Sequence, residues 1–592
     1  MYFKNKKSVK GYFWKIKEYD ERLALTIFQK NNVSELISKL LAIKGVKYDE
    51  VNNYMEPKLK NLLKNPNHLI DMDKAVKTIY NAIINKESIC IYGDYDVDGA
   101  SSTALLIRFF RAINIEVVSY VPDRIDEGYG LNDNSVHYLK DKGVNLIITV
   151  DCGISSKEPV DLANKLGMDV VITDHHLGPV DIPNAKAVVN PNRLDETSEY
   201  KYLAGVGVAF MLAIALNLYL RDSGYYKDNN IKEPNLLLYL DLVALGTVCD
   251  VMPLKNINRA FVKQGLMIFK QRKNVGLSIL SDFVEINEIN DTYHLGYILG
   301  PRINACGRVG DVSIGNKLLS CDDPFEARIL AEKLNKFNIE RQNIEKEMLE
   351  LAIEKVEEQH LLKDGLIFIE GKNWHEGIIG IIASRIKDKY NRPVIVCSIN
   401  DDECKASCRS VDTSIDIGSV ILQAKEAGLL ISGGGHAMAG GFNFYKENTE
   451  KIKEFIIDKI KDKVEKYLEK NEVEADLVLD VNDVNVKLVN DIESIGPFGA
   501  GNHKPQIILK DVLILRIKQF GKNEEHLRLI VKSSDVKSGN AALIVNIFRV
   551  NKDDDIYKAV YSHKFCSLLG TLSLNRWMGL DNIQFIADDV LI

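Results

Sequence analysis

IYGDYDVDGASST, residues 91–103, decides how this chain is read. Asp94, Asp96 and Asp98 fall at every second position, Gly93 and Gly99 stand on either side, and a short apolar stretch at 88–92 leads in. Like charges this close repel, and they become comfortable when something strongly positive sits among them. The lead-in reads as a buried strand, and ASSTALLIRFFRAI after it as an amphipathic helix. Working outward, IEVVSYV is a strand, NDNSVHYLKDKG a helix, NLIITVD a strand, KEPVDLANKLG a helix, and DVVITD and KAVVN two more strands. Apolar, β-branched strands alternating with helices at this spacing predict a parallel sheet covered on both faces.

Polar residues stand where these apolar strands end. Asp151 closes LIITVD, Asp174, His175 and His176 close VVITDHH, and Asn190 closes VVN. In an open parallel sheet the carboxyl ends of the strands face one crevice, so these scattered residues should converge. Asp250, after the apolar helix LVALGTVC, adds a further carboxylate. Singly, such an aspartate is more often a helix cap or turn residue, and a histidine is as readily structural. Five such positions together point to a metal centre. Aspartate with histidine suits Mn²⁺ or Mg²⁺ better than Zn²⁺, for which no cysteine is placed. The set is large enough for two ions, which at about 3.5–4 Å apart activate a water and hold a phosphate through in-line displacement.

The totals set wider bounds. A chain of 592 residues exceeds one core, so two to four domains are expected. Hydrophobic residues make up 46% and charged residues 27%, the ordinary globular mix. The lack of an apolar run of about 20 residues argues against a membrane span, and the basic start MYFKNKKSVKGYFWKIK lacks the apolar core of a signal peptide. The nine cysteines are scattered with no CxxC pair, and Cys404 and Cys408, the nearest two, do not read as metal ligands. That usage suits a reducing cytoplasm. A net charge of −7 does not announce a nucleic-acid binder, yet it is compatible with local basic grooves.

The expected organisation is a helical lead-in (1–75), the α/β metal domain (76–322), a long charged helix (323–360), a second α/β domain (361–472) and a β-rich tail (473–592). The long helix reads as a connection between domains, with a solvated surface helix as the bland alternative. QIILKDVLILRIKQF, EHLRLIVKS, AALIVNIF and KFCSLLGTLSLN in the tail suit a small barrel or sandwich. Arg302 and Arg308 lie in what reads as a glycine-bounded loop, PRINACGR, where an arginine fork suits phosphate oxygens and solvated surface arginines are the plain alternative. The run SGGGHAMAGGF (432–442) offers backbone N–H groups for a phosphate.

GDYDVDG, ITVDCG, TDHH and GTVCDVMPL resemble, in order and spacing, the motifs of the DHH phosphoesterase superfamily. VPDRIDEGYGLN (121–132), VVNPNR (188–193), LAGVGVAF (203–210) and GPRINACGRVGD (300–311) resemble its bacterial RecJ branch in particular, over nearly the whole chain. The resemblance implies a DHH parallel-sheet domain joined by the long helix to a DHHA1 α/β domain, followed by an OB-fold domain. It implies a 5′-to-3′ exonuclease of single-stranded DNA that needs Mn²⁺ or Mg²⁺ and serves DNA repair and recombination, with single-strand-binding protein and a RecQ-type helicase as partners. Carried over, Asp94, Asp96, Asp98, Asp151, His175 and Asp250 form the metal cluster. Asp98, Asp151, His175 and Asp250 resemble one ion's ligands, and Asp96 with Asp151 the other's, so Asp151 bridges. Asp98, Asp151 and His176 are implied to be catalytic; His176 resembles the histidine that faces the phosphate, as stabiliser or proton donor, and Asp174 a partner that orients an imidazole. HEGIIGIIASR and the glycine run resemble DHHA1, implying that His375, Arg385, Arg409, Gly434 and His436 grip nucleotide, with Arg302, Arg308 and Asn304. The sequence departs at KASCRS, where Ala406 and Cys408 replace the glycines of a turn, and at GPFGAGNHKP, where His503 replaces proline. Phe520, Phe548 and Trp577 are candidate stacking platforms, each more often a core residue. Two rival readings are a DHH phosphodiesterase of short oligonucleotides or linear dinucleotides, which leaves residues 475–592 unused, and a non-catalytic replication scaffold, which the intact acidic and histidine set argues against.

Overall fold

In the strands Ile89–Gly93 and Leu146–Val150 every residue is buried, as strands covered on both faces must be. The structure, a computed structural model, describes residues 6–124, 127–286, 291–362, 365–535, 541–577 and 580–592, with the side chains of 575–577, 580 and 581 excepted. Ile125 and Asp126 of VPDRIDEGYGLN and the side chain of Trp577 therefore lie outside the described residues. By internal contacts the chain divides into two units, one comprising Asn65–Asp250 and Gly265–Lys470, the other Met1–Lys64, Val251–Gln264 and Asn471–Ile592.

The first unit holds two sheets. One is five-stranded and all parallel, in the spatial order Val118–Tyr120, Ile89–Gly93, Leu146–Val150, Asp169–Thr173, Ala187–Val189. Cys90, Tyr92, Ile147, Val170 and Ile172 form a core with Val136, Leu139, Val160 and Ala163 of the helices Asp133–Asp141 and Lys157–Lys165. The helices Val97–Ala112 and Gly205–Asp222 pack against the same strands. Among the described residues Gly205–Asp222 is the one helix long and apolar enough to cross a membrane, but 72% of it is buried inside the fold, which marks it as a core helix.

The structure corrects the reading of PRINACGR. It is no loop but the helix Gly300–Val309, entered through a single π turn at His294–Leu299. Pro301 falls directly after the π turn, where the backbone ladder is already offset, so the N–H it lacks is missing at a point of irregular pairing. Ile303, Ala305, Cys306 and Gly307 are buried, and tertiary packing of this kind outweighs the poor helix preference of glycine.

Pro324–Glu358 spans 35 residues and leads to the second sheet, where Met348, Ala352 and Val356 join Ile367, Ile369, Val394 and Val396 in one core. The bland solvated-helix alternative does not hold. That sheet runs Ser432–His436, Ala439–Tyr445, Glu403–Arg409, Val394–Asn400, Ile367–Lys372, with only the last pair parallel. KASCRS is accordingly not a turn. Ala406 and Cys408, 3% and 0% exposed, point into the core with Ile395, Phe442 and Phe444, which is why they need no glycine freedom. Alternation along the strand sends Ser407 and Arg409 to the opposite face.

In the second unit, Ile507–Phe520, His526–Ser533, Ala542–Phe548, Leu580–Leu591 and Phe565–Trp577 pair in that order, and the first pairs again with the last, closing a five-stranded barrel. Its core mixes Leu527, Leu529, Val531 and Phe585 with Ile27, Ile37, Leu40 and Leu41 from the N-terminal helices Glu21–Asn31 and Glu35–Ile43. Phe548 is exposed on this barrel, and Phe520 lies half-buried beside it, with the Arg528 guanidinium over its ring.

Candidate metal centre and cationic pocket

The strand end at Gly93 delivers the acidic run into the start of the next helix. Asp96 caps that helix, accepting the N–H groups of Asp98 at 2.8 Å and Gly99 at 3.0 Å. Asp98 in the first turn is held by a second helix start, accepting Gly205 N–H at 2.6 Å and Val206 N–H at 2.9 Å. Oriented amides at a helix N-terminus favour a carboxylate there. Asp151 follows the strand Leu146–Val150 with φ of 61°, a left-handed conformation uncommon outside glycine, at 2% exposure. Asp250 is the C-cap of Leu240–Cys249.

These pieces converge. His175 Nε2 stands 3.1 Å from Asp151 Oδ1, 3.5 Å from Asp250 Oδ2 and 3.8 Å from Asp98 Oδ2. Ligand atoms of Asp98, His175 and Asp250 lie within 4.8 Å of one another, and so do those of Asp94, Asp96 and Asp151, and of Asp151, His175 and His176. Asp94 Oδ1, Asp151 Oδ1, His175 Nε2 and Asp250 Oδ2 are buried without a hydrogen-bond partner. Despite the 3.1 Å approach, His175 and Asp151 do not form a hydrogen bond. Four inward-facing donor atoms of this kind are costly unless a cation satisfies them, and their chemistry fits one.

The electrostatics agree. Burial, reinforced by the neighbouring carboxylates, lifts Asp98 to about 7 and Asp250 to about 9, and holds Asp94 and Asp151 well above the usual carboxylate range. Burial and the charge of His176 press His175 down to about 4, so it is neutral and able to ligate at neutral pH. Burial opposes charge on His176 as well, but its bond to Asp174 outweighs that and raises it to about 9. Asp174 Oδ1 lies 2.8 Å from His176 Nδ1 and also accepts the backbone N–H groups of His175 and His176, while Oδ2 accepts Ile154 N–H. Asp174 thus orients an imidazole. Asn190 donates to the His176 carbonyl and accepts Asn192 N–H, which fixes the same loop.

Two glycines explain themselves only at this centre. A Cβ on Gly205 would stand 2.5 Å from Asp151 Oδ1, and one on Gly246 2.6 Å from Asp98 Oδ1. Nothing in the sequence singles out either, although both sit inside quoted motifs.

Arg308 reaches the second α/β domain, where it donates to the Gly377 carbonyl at 2.6 Å. Burial first, then the nearby guanidinium groups of Arg124 and Arg341, lower it to about 10. A cavity of about 620 Å³ is lined by Arg124, Arg308, Arg385, Lys405, Ser407 and Arg409, with Gly434 on its wall. Arg409 is braced by the hydroxyls of Ser384 and Ser407 at 3.1 and 3.2 Å. An adjoining cavity adds His375 beside Arg124 and Arg308. Of the predicted grip residues, Arg302 and Asn304 line neither cavity. Arg385 is tied to Glu345 at 2.9 Å, Arg302 to the Ile298 carbonyl and Asn335, and Asn304 accepts Val97 N–H at 3.1 Å, bracing the acidic turn. His436 is exposed at the end of its hairpin strand and lines neither cavity. Arg124, Lys405 and Ser407 escape a reading of the sequence because single polar residues in a strand or loop carry no pattern.

A parallel sheet whose strand ends gather four buried aspartates, a further capping aspartate and a paired histidine defines a DHH-type phosphoesterase centre. The DHH family N-terminal domain matches residues 88–247, the DHHA1 domain 363–462 and the RecJ OB domain 475–589. The chain belongs to the RecJ family. It is 35% identical over 94% of its length to the single-stranded-DNA-specific exonuclease RecJ of Salmonella typhimurium, 95% of which is covered. It is 34% identical, with the same coverages, to that of Escherichia coli. The crystal structure of RecJ in complex with Mn²⁺ from Thermus thermophilus superposes with a TM-score of 0.77 at 25% identity, covering 98% of this chain and 79% of that one.

Proposed function

We propose that this protein is a metal-dependent exonuclease that hydrolyses single-stranded DNA from its 5′ end to mononucleotides, in DNA repair and recombination. The observation that carries this is three adjoining clusters of ligand atoms, two of which share Asp151 and two His175, with four buried donor atoms otherwise unsatisfied. Asp98, Asp151, His175 and Asp250 would hold one Mn²⁺ or Mg²⁺, and Asp94, Asp96 and Asp151 the other. When bound, such ions supply Lewis acidity that activates water and neutralises phosphoryl oxygens. The residues do the rest. His176, cationic at neutral pH and oriented by Asp174, donates a hydrogen bond to the scissile phosphate or a proton to its leaving oxygen. Arg308 and Arg409, with Lys405 and Arg385 beside them, hold a neighbouring phosphate of the strand. His375 and Gly434 complete that grip, and Arg302, Asn304 and His436 reach flanking nucleotides or brace those that do. Family membership supports single-strand-binding protein and a RecQ-type helicase as partners, and nine free cysteines support a reducing cytoplasm.

The test is digestion, with Mn²⁺, of a long single strand labelled at either end, beside a labelled dinucleotide and an Asp151→Ala control. Mononucleotide release from the 5′ end, lost in the control, is expected. Turnover of the dinucleotide alone would overturn the assignment in favour of a small substrate.

A further inference from the structure

Tyr129 lies in EGYGLN, on the loop after the strand Val118–Tyr120, and is not an obvious candidate for chemistry. Its hydroxyl stands 3.0 Å from the carbonyl oxygen of Asp151 and 3.0 Å from Nδ1 of His176. Its ring meets the His176 imidazole edge-on at 5.5 Å. The loop is pinned on both sides of it. Glu127 accepts the Tyr120 hydroxyl and the Asp123 N–H, each at 2.7 Å, and the Gly130 carbonyl accepts the Tyr92 hydroxyl at 2.9 Å.

A phenol has one proton to give. The Asp151 carbonyl can only accept, so the Tyr129 proton goes there. The phenol oxygen then presents a lone pair to His176 Nδ1, and Asp174 Oδ1 presents another acceptor to the same nitrogen at 2.8 Å. Two acceptors facing Nδ1 require that it carry the proton, which leaves Nε2 for whatever enters the centre. Asp174 alone would fix the distance of the ring but allow it to swing about that bond; a second partner on a different element removes the swing.

Resting on the exonuclease reading above, we propose that Tyr129 is a positioning residue of this centre, whose hydroxyl ties the His176 imidazole to the Asp151 peptide so that Nε2 faces the scissile phosphate. It acts through His176 and does not hold metal. Asp151 keeps its place through other bonds, since its N–H donates to the Thr173 carbonyl at 3.0 Å.

The experiment is a double-mutant cycle on the full-length protein with Mn²⁺ and a 5′-labelled single strand, using Tyr129→Phe, His176→Ala and the pair. Tyr129→Phe removes a single oxygen from a residue that is 49% exposed overall, and an unchanged Tm would register that the fold stands. Tyr129→Phe is expected to lower kcat on the order of tenfold to a hundredfold. KM and Mn²⁺ affinity by calorimetry should stay within about threefold, and no further loss should appear on the His176→Ala background. Wild-type kcat in Tyr129→Phe would overturn the proposal. So would a loss that adds in full to that of His176→Ala, or one matched by an equal loss of Mn²⁺ affinity, which would place the role on Asp151. Should the wild type bind Mn²⁺ yet leave single strands intact, the exonuclease reading fails instead, and the same cycle on bis(4-nitrophenyl) phosphate judges Tyr129 by itself.

Discussion

Alanine at Gly205 should empty the metal centre while leaving the fold standing. A Cβ there would stand 2.5, 2.6 and 2.7 Å from Oδ1, Cβ and Cγ of Asp151. Non-bonded carbons rest at about 3.5–4.0 Å, so the overlap approaches 1 Å. Asp151 cannot step aside cheaply, since it is 2% exposed, sits at φ 61°, and is fixed by its N–H to Thr173. Overpacking of this sort costs about 1–3 kcal/mol, and at the first residue of the helix alanine recovers little of it. In a unit of this size that lowers Tm by only a few degrees. A displacement near 1 Å at a shared ligand is worth on the order of a hundredfold in rate. Gly207→Ala, two residues on in the same helix, is the control, because the atoms nearest its Cβ belong to the Leu203 side chain, at 3.0–3.6 Å, and not to a metal ligand. Calorimetry with Mn²⁺, nucleotide release from a labelled strand and Tm should show Gly205→Ala losing metal and turnover with little change in melting, and Gly207→Ala resembling wild type. A Gly205→Ala protein that binds Mn²⁺ and turns over normally would refute the steric reasoning.

Gly246→Ala, whose Cβ would lie 2.6 Å from Asp98 Oδ1, should lose Mn²⁺ affinity in the same assay. Folded-state pKa values raised to about 7 for Asp98 and about 9 for Asp250 mean that the metal-free protein loses stability as pH rises from near 4 through those values. Mn²⁺ must displace these protons, so its affinity and the rise in Tm it causes should both grow between about pH 6 and pH 8, as thermal melts with and without metal would register. Asp174→Asn should cut kcat about 10–100-fold with Mn²⁺ affinity nearly kept, because it unties His176 without removing a ligand of either set. Arg409→Ala should raise KM for single strands more than it lowers kcat, measured by initial rates across substrate concentration, since Arg409 lines the cavity and stands in neither ligand set.

Much of the centre is legible in the sequence because its chemistry is written in charged residues at strand ends, where the period of a parallel sheet brings them together. Asp94, Asp96, Asp98, Asp151 and His175 need only that inference to be placed in one crevice, whereas Asp250, at the end of a helix, joins them through the family resemblance. What escapes is carried by atoms without a pattern. Gly205 and Gly246 matter for the side chain they lack, and Tyr129 for one hydroxyl on an irregular loop. PRINACGR reads as a loop because Pro301 and Gly307, with Gly300 before them, outvote an apolar face that only the tertiary fold reveals. KASCRS reads as a turn because a resemblance takes precedence over the alternation of Cys404, Ala406 and Cys408 that marks a strand.

The barrel core is shared between residues near 27–51 and residues near 477–590. During synthesis the helices Glu21–Asn31 and Glu35–Ile43 emerge first, yet their partners are made more than 400 residues later. At about 5–20 residues per second, those apolar faces stay uncovered for tens of seconds while the first unit folds. The N-terminal helices therefore complete their core only once the last strands are made, and the two ends of the chain depend on one body of apolar contacts.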